Sequence, residues 1–133
     1  MLNTNGSINN IIPNWNKLET IYLWGCQNTT GNIEIAFVNP YKLAYVYITS
    51  IYYDQNGNNK HNISSNIEGN ISVFSNKYDL KTIQIVRYSL INGDIKDLKN
   101  LKKLIYVYFD YSQVTGSKTD LWNNGANIID FSV

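Results

Sequence analysis

Two acidic residues, Asp110 and Asp130, are the candidates for catalysis in a chain that has few reactive side chains. A glycosidase needs two carboxylates about 5–9.5 Å apart. These two aspartates fall on neighbouring predicted strands with an offset of four residues, which separates their backbones by roughly 14 Å. The chain has one histidine, His61, and one cysteine, Cys26. These are too few for a zinc site of the usual His and Cys ligands, and the histidine is poorly placed for a catalytic triad. The sequence therefore predicts a chain that is not an enzyme and that carries no metal or cofactor.

Aromatic side chains are the second group of candidate functional residues, and their predicted role is ligand binding. Tyrosine occurs 11 times, and several tyrosines stand at alternate positions of short apolar segments. Tyr and Trp combine contact area, rigidity and a polar tip, which suits recognition surfaces. The alternative interpretation is that tyrosine is a good strand residue in an AT-rich coding sequence. The predicted binding residues are Tyr22, Trp24, Tyr45, Tyr47, Arg87, Tyr106, Tyr108, Asp110 and Tyr111.

A repeating pattern positions these side chains. Its clearest copy runs from Gly93 to Gly116, where a glycine starts a turn and Leu-x-x-Ile-x-Leu, with variants, marks a strand. The spacing from glycine to first strand residue is 12, 12, 11, 11 and 12. This agreement predicts five turns of a coil in which parallel strands stack. The five pairs are Gly6 and Leu18, Gly31 and Leu43, Gly69 and Leu80, Gly93 and Leu104, and Gly116 and Ile128.

The predicted strands place the residues between the apolar positions on an outward face, because strand side chains alternate. Reading across turns gives three outward columns, with Arg87 and Tyr111 just beyond them. The first column is Thr20, Tyr45, Thr82, Tyr106 and Asp130; the second is Tyr22, Tyr47, Gln84, Tyr108 and Ser132; the third is Trp24, Thr49, Val86 and Asp110.

The segments that return the chain between strands show two patterns. Alternation in residues 33–37 and 71–73 favours a second, outer strand. In the fourth turn the recurrence of Ile95, Leu98 and Leu101 favours a short α- or 3₁₀-helical piece. The lysines between them are predicted to form a solvated outer face, with an anion site as the less favoured alternative. They are Lys96, Lys99, Lys102 and Lys103.

The second turn contains extra residues, since the strand-to-strand spacings are 25, 37, 24 and 24. Asn56-Gly57 is a hairpin turn signal, so a protruding loop or hairpin is predicted at about 52–67. Such loops on a rigid scaffold often carry recognition, although a tolerated surface insertion explains the extra residues equally well. His61 lies in this loop and is predicted to be solvated.

One stretch carries a family resemblance. Leu104-x-x-Val107-x-Phe109-x-x-Ser112-x-Val114-x-Gly116 resembles the leucine-rich repeat, and so does the stretch from Leu80 to Leu90. The resemblance covers nearly the whole chain. It implies a mainly β, single-domain solenoid over residues 1–133, with a parallel inner sheet and an irregular or β outer side that holds one short helical segment. The Asn or Cys that the family places after the strand is matched by Cys26, which is therefore expected to be a buried ladder residue.

Composition limits the partners and the location. A net charge of +1 with 16% charged residues gives no footprint for nucleic acid, and no apolar run is long enough to span a membrane. The start of the chain lacks the features of a signal peptide, which favours a cytoplasmic or virion-associated protein. The abundance of Asn, Ile and Tyr resembles repeat proteins of low-GC bacteria and their phages, where such modules decorate virions or serve adhesion.

The sequence thus predicts a non-catalytic protein-interaction module that serves assembly or adhesion. The alternative is a carbohydrate-binding module, because aromatic rows also stack on sugar rings. The last predicted strand reaches Val133 without a polar cap. A partner subunit or a second copy is therefore expected to cover Ile128, Phe131 and Val133.

Overall fold

The computed structural model describes residues 6–24, 28–60 and 62–133, so Cys26 and His61 lie outside the described residues. The chain winds through two parallel five-stranded sheets, one on each side of the core. The outer sheet contains β1 (Gly6–Ser7), β3 (Thr29–Asn32), β7 (Ser64–Asn70), β9 (Tyr88–Asp94) and β11 (Gln113–Thr115). The inner sheet contains β2 (Thr20–Trp24), β4 (Tyr45–Thr49), β8 (Thr82–Val86), β10 (Tyr106–Tyr108) and β12 (Asp130–Ser132). A separate hairpin is formed by β5 (Tyr52–Tyr53) and β6 (Asn59–Lys60).

The predicted five turns of a parallel coil are confirmed. Strands of successive turns lie side by side in both sheets, in the orders β1-β3-β7-β9-β11 and β2-β4-β8-β10-β12. The predicted register of the inner sheet is also confirmed, since Ile21 pairs with Val46, Val46 with Ile83, and Ile83 with Val107. A one-residue slip would turn every outward side chain into the core.

The core lies between the sheets and is built from the inward positions of the repeat. Leu43, Leu80 and Leu104 are fully buried, as are Val46 and Ile83. Each buried aliphatic side chain contributes roughly 1.5–3 kcal/mol relative to an exposed one. No turn can bury this row alone, so the stack of turns holds the fold together.

The return segments contain more helix than expected. The single α-helical or 3₁₀ piece predicted in the fourth turn is confirmed as a 3₁₀ turn, Ile95–Leu98, but every turn has a helical piece. The outer strands predicted at 33–37 and 71–73 were wrong. The remaining pieces are the 3₁₀ turns Ile8–Asn10, Ile12–Asn14 and Ile71–Phe74 and the helices α1 (Ile33–Ala36) and α2 (Lys118–Trp122).

The helical pieces follow from burial and from capping. Ile33, Ala36 and Phe37 are buried while Ile35 is 52% exposed, so the apolar spacing is helical and the apparent alternation of 33 and 35 is misleading. The residue after each turn-starting glycine is Ser, Asn or Asp, and in the first four turns its side chain accepts the backbone N–H two residues on. Asn70, for example, accepts from the Ser72 N–H at 2.9 Å.

The same cap residues explain the glycines. Gly69, Gly93 and Gly116 have φ of 123°, 120° and 115°, a region that side chains disfavour. A β-carbon at Gly93 would also lie 2.6 Å from Asn70 Oδ1 and 2.8 Å from a carbon of Ile71. The third, fourth and fifth turns therefore begin where the backbone passes closely over the cap residue of the preceding turn.

The insertion in the second turn is a β-hairpin, as predicted. Tyr52 pairs with Lys60 and Tyr53 with Asn59 in antiparallel register, and Gly57 has a φ of 78°. The Asp54 carboxylate accepts the backbone N–H groups of Asn56 and Asn58 at 2.9 and 2.8 Å. The hairpin is shorter than the predicted stretch 52–67, because β7 already begins at Ser64.

Candidate binding face

The inner sheet brings the predicted aromatic residues together on its outward face. Tyr22, Tyr47, Gln84, Tyr108 and Ser132 are directly paired from strand to strand, which is the predicted second column. The first column, Thr20 to Asp130, is equally in register. Trp24, Thr49 and Val86 pair as predicted for the third column. We call the group that these strands assemble the tyrosine face: Tyr22, Trp24, Tyr45, Tyr47, Tyr106 and Tyr108.

Exposure varies across the tyrosine face. Tyr22 and Tyr106 are 44% and 38% exposed, and the other four members are half-buried. Thr82, which stands between Tyr45 and Tyr106 in its column, is buried. Thr82 is thus covered although it stands on the outward side, and the tyrosine rings contribute more of the exposed surface.

Two of the tyrosines are in ring contact. The Tyr22 and Tyr47 ring centroids lie 5.4 Å apart with planes tilted by 41°, within the favourable range for aromatic pairs. This contact restrains two rings on adjacent strands. A ligand that binds across them meets a surface whose side chains have already lost much of their freedom.

Tyr108 is fixed by a hydrogen bond rather than by a ring. Its hydroxyl donates to Asp130 Oδ2 at 2.9 Å. Burial disfavours the phenolate and raises the pKa of Tyr108, and the hydrogen bond to Asp130 and the carboxylate's charge act in the same direction. Tyr108 therefore remains a hydrogen-bond donor throughout the neutral pH range.

The far end of the tyrosine face, at the carboxyl ends of the inner strands, holds the other predicted residues. Ser132 Oγ donates to Asp110 Oδ1. The Arg87 guanidinium lies 4.2 Å from the centroid of the Tyr111 ring, a cation–π contact. Arg87 and Tyr111 have φ of 69° and 62°, so equivalent residues of two turns adopt the same rare left-handed conformation, which often accompanies a functional site.

Asp110 and Asp130, the candidate catalytic residues, each accept a hydrogen bond from a different hydroxyl group. Asp130 accepts from Tyr108 and Asp110 from Ser132. Both bonds hold side chains in place on the sheet. Within residues 6–24, 28–60 and 62–133, no group of three or more His, Cys, Asp or Glu side chains is placed to hold a metal ion.

A row of lysines lies along the opposite end of the inner strands, and it includes Lys103, which was predicted from the sequence to lie on the solvated outer face. Backbone hydrogen bonds extend the sheet by one residue, from Lys81 N–H to Ala44 O and from Ile105 N–H to Lys81 O, both at 2.8 Å. We call the exposed residues Lys17, Lys42, Lys81 and Lys103 the lysine row. The sequence does contain a signal for this row, because Lys17, Lys42 and Lys103 each directly precede the first strand leucine of their turn.

The lysine row adjoins the tyrosine face and surrounds one carboxylate. Lys81 Nζ lies 5.9 Å from the centroid of the Tyr45 ring. Lys103 Nζ donates to Asp79 Oδ1 at 2.8 Å. This hydrogen bond and the charge of Lys103 lower the pKa of Asp79, and the charges of Lys42 and Lys81 lower it further. One carboxylate thus lies in the field of three ammonium groups.

The apolar edge predicted at the last strand needs a correction. Ile128 is only 4% exposed and belongs to the core, so no partner is required to cover it. Ile128 is buried because it occupies an inward-facing position of the repeat, level with Leu104 of the preceding turn in the strand register. Phe131 is partly buried against the core, and Val133 is 43% exposed.

A polar depression lies beside the base of the hairpin. It has a volume of about 330 Å³ and is lined mainly by serine and asparagine, including Ser50, Asn62 and Ser64. The Ser50 hydroxyl donates to the backbone carbonyl of Asn62, which ties the inserted segment to the end of β4. The hairpin is thus anchored next to the inner sheet.

Comparison with known proteins gives information about the fold. No family model and no curated protein sequence matches the chain. The structure is similar to the crystal structure of an internalin C2 from Listeria monocytogenes str. 4b F2365, with a TM-score of 0.62 and 19% sequence identity. The match covers 91% of this chain and 44% of that one, so the chain spans less than half the length of its structural neighbour. In the described part of the chain, no helix has the length and apolar character needed to cross a membrane. The chain therefore has a mainly β, leucine-rich-repeat-like solenoid fold.

Proposed function

We propose that this chain is a non-catalytic interaction module that binds a protein partner through the tyrosine face. The observation that carries the proposal is the strand register, which sets Tyr22, Tyr47 and Tyr108 in one row beside Tyr45 and Tyr106. Rigid aromatic side chains with polar tips provide much of the energy of protein interfaces. Arg87, Asp110 and Tyr111 supply polar and charged contacts at the end of the same face.

The hairpin belongs to the same proposed surface. It follows β4, which contributes Tyr45 and Tyr47, and the Ser50 hydroxyl joins its base to the end of that strand. Recognition loops are commonly placed in this way at the edge of a rigid sheet. We assign the hairpin a contribution to the choice of partner, with the tyrosine face providing most of the affinity.

A carbohydrate ligand is the second candidate, because flat aromatic rows can stack on sugar rings. The half-exposed, in-register tyrosines favour it as a specific alternative. The protein partner and the carbohydrate ligand are distinguished by which binding the same double variant loses. Binding to a glycan array that disappears in Tyr47→Ala/Tyr108→Ala supports the carbohydrate ligand.

The test of the main proposal is affinity purification from the native source with three baits. They are the unaltered chain, Tyr47→Ala/Tyr108→Ala, and the control Ile35→Ala/Leu90→Ala, whose side chains are 52% and 37% exposed and lie in α1 and in β9 of the outer sheet. We expect a defined protein to be retained by the first and third baits and lost from the second. Equal retention by all three would refute the proposal.

For the biological setting we propose assembly or adhesion, including a place on a virion. A neighbouring subunit or a second copy would cover Phe131 and Val133, since β12 pairs with β10 on one side and has no strand on its other side among the described residues. Native mass spectrometry should then show a complex. A stable, non-aggregating monomer would refute this part of the proposal.

A further inference from the structure

The charged side chains around the tyrosine face are unevenly distributed along the stack of turns. The lysine row borders the first four turns at the amino ends of the inner strands, and the only carboxylates of the described residues directly beside the row in those turns are Glu19 and Asp79. Four ammonium groups against two carboxylates leave a net charge of +2 along this border. Asp110 lies in the fourth turn, beside Arg87 of the third, and Asp130 lies in the fifth turn, where it pairs with Tyr106.

The lysine row is continuous with the aromatic surface. Lys42 and Lys103 occupy the same position in turns two and four, with Lys81 of the intervening turn two residues further along. At about 4.8 Å between strands, three neighbouring turns carry their ammonium groups along roughly 10 Å. The contact between Lys81 and Tyr45 joins the row to the tyrosine face.

We infer that the partner segment that lies on the tyrosine face is an acidic stretch of polypeptide, with its carboxylates along the lysine row. This inference rests on the proposed function, since it names the chemistry of the partner of that same face. An extended segment advances about 3.3 Å per residue, so about three of its residues span the roughly 10 Å between the strands of turns two and four. Its apolar or aromatic residues then pack on the tyrosine rings.

A polypeptide fits this surface better than a polyanionic polysaccharide. A uniformly charged polymer that crosses the whole face would bring its anions against Asp110 and Asp130. A polypeptide can place carboxylates beside the lysine row and amide, hydroxyl or basic groups beside Asp110 and Asp130. The division of charge on this face therefore favours a partner whose own charge is unevenly distributed.

The test is selection of random short displayed peptides on the immobilised full chain, followed by affinity measurements with the selected peptides. We expect enrichment in Asp and Glu, and about three- to tenfold weaker binding to Lys42→Gln/Lys81→Gln. The matched control Lys96→Gln/Lys99→Gln removes the same charge from the outer side and should bind normally. Salt at about 1 M, where the Debye length is ~3 Å, should weaken binding to the unaltered chain.

The outcomes separate this inference from the proposed function. Selected peptides that need Tyr47 and Tyr108 but lack acidic enrichment, or that bind Lys42→Gln/Lys81→Gln normally, would overturn the inference and leave the proposed function standing. Selected peptides that bind Tyr47→Ala/Tyr108→Ala normally would overturn both. Alginate, a polyanionic polysaccharide, serves as the competing probe. Lysine-dependent binding of alginate without any lysine-dependent peptide would overturn the choice of polypeptide.

Discussion

At the scale of single residues, two separate constraints determine the glycines that begin the third, fourth and fifth turns. One is the positive φ, and the other is the lack of space beside the cap residue of the preceding turn. Gly57 has only the first constraint, because no atom lies within 4 Å of the place where its β-carbon would stand. The chain therefore contains its own control for separating backbone strain from steric overlap.

Gly93→Ala is expected to lower the free energy of unfolding by about 2–4 kcal/mol, because φ strain and overlap with Asn70 and Ile71 add together. Gly57→Ala is expected to cost about 1 kcal/mol, from φ strain alone. Urea denaturation of both variants provides the measurement. Equal losses would show that the close approach between turns contributes nothing.

Tyr108 gives a pH dependence whose sign follows from its raised pKa. Near and above the ordinary value of 10.0, the unfolded chain loses this proton before the folded chain does. The unfolded state then binds fewer protons, so stability falls as pH rises through this window and is fully present below it. We expect the unaltered chain to lose more stability than Tyr108→Phe on going from neutral to strongly alkaline pH.

The comparison with Tyr108→Phe isolates this residue from other groups that titrate at high pH. Lys77 is one of these, because it is buried and burial lowers its pKa. Its contribution is present in both proteins and cancels in the difference. Parallel pH profiles of the free energy of unfolding would contradict the role assigned to the Tyr108–Asp130 hydrogen bond.

At the scale of elements, the inner strands were predictable and the outer segments were not. The Leu-x-x-Ile-x-Leu pattern alternates with the strand period, so it predicts both the strands and their register. Residues 33–37 and 71–73 show an alternating apolar pattern, which predicts a strand, but a helix-capping asparagine precedes each segment. The prediction followed the alternation and was therefore wrong. Asn32 and Asn70, placed directly before an apolar residue, were the helix-start signal that would have corrected the prediction.

Asn70→Ala is expected to lower the free energy of unfolding by about 1 kcal/mol, because the Ser72 N–H loses its acceptor. The control is Asn100→Ala, at an exposed position after the 3₁₀ turn of the fourth repeat, where a change within about 0.5 kcal/mol is expected. Thermal or urea unfolding measures both variants. A neutral Asn70→Ala would remove the capping explanation of the repeat's second residue.

The candidate site was predictable to different degrees on its two sides. Alternation within Tyr45–Thr49 and Tyr106–Tyr108, together with the repeat spacing, predicts that their tyrosines share a face. The lysine row depends on how far the sheet extends beyond the strands, which backbone hydrogen bonds at Ala44, Lys81 and Ile105 reveal. Sequence spacing also failed to show that Ile128 is buried, because a residue at the end of a stack is covered or exposed according to its neighbours.

At the scale of the whole molecule, the hairpin is structurally separate from the two main sheets of the solenoid. The hairpin pairs with itself and lies outside the two main sheets. Replacement of residues 52–60 by a short Gly- and Asn-containing turn is therefore expected to change the free energy of unfolding by less than about 1 kcal/mol. Partner binding should weaken while the tyrosine face remains intact, and both quantities are measurable on the same variant. A large loss of stability would show that the hairpin is part of the scaffold.

The central claim, that partners bind the tyrosine face, is tested most directly by photo-crosslinking in the native extract. A photoreactive phenylalanine analogue is placed either at Tyr106, on the tyrosine face, or at Ile35, which is more exposed but lies in α1, away from the face. We predict a discrete protein adduct from position 106 and none from position 35. An adduct from position 35 alone, or the same adduct from both positions, would contradict the claim.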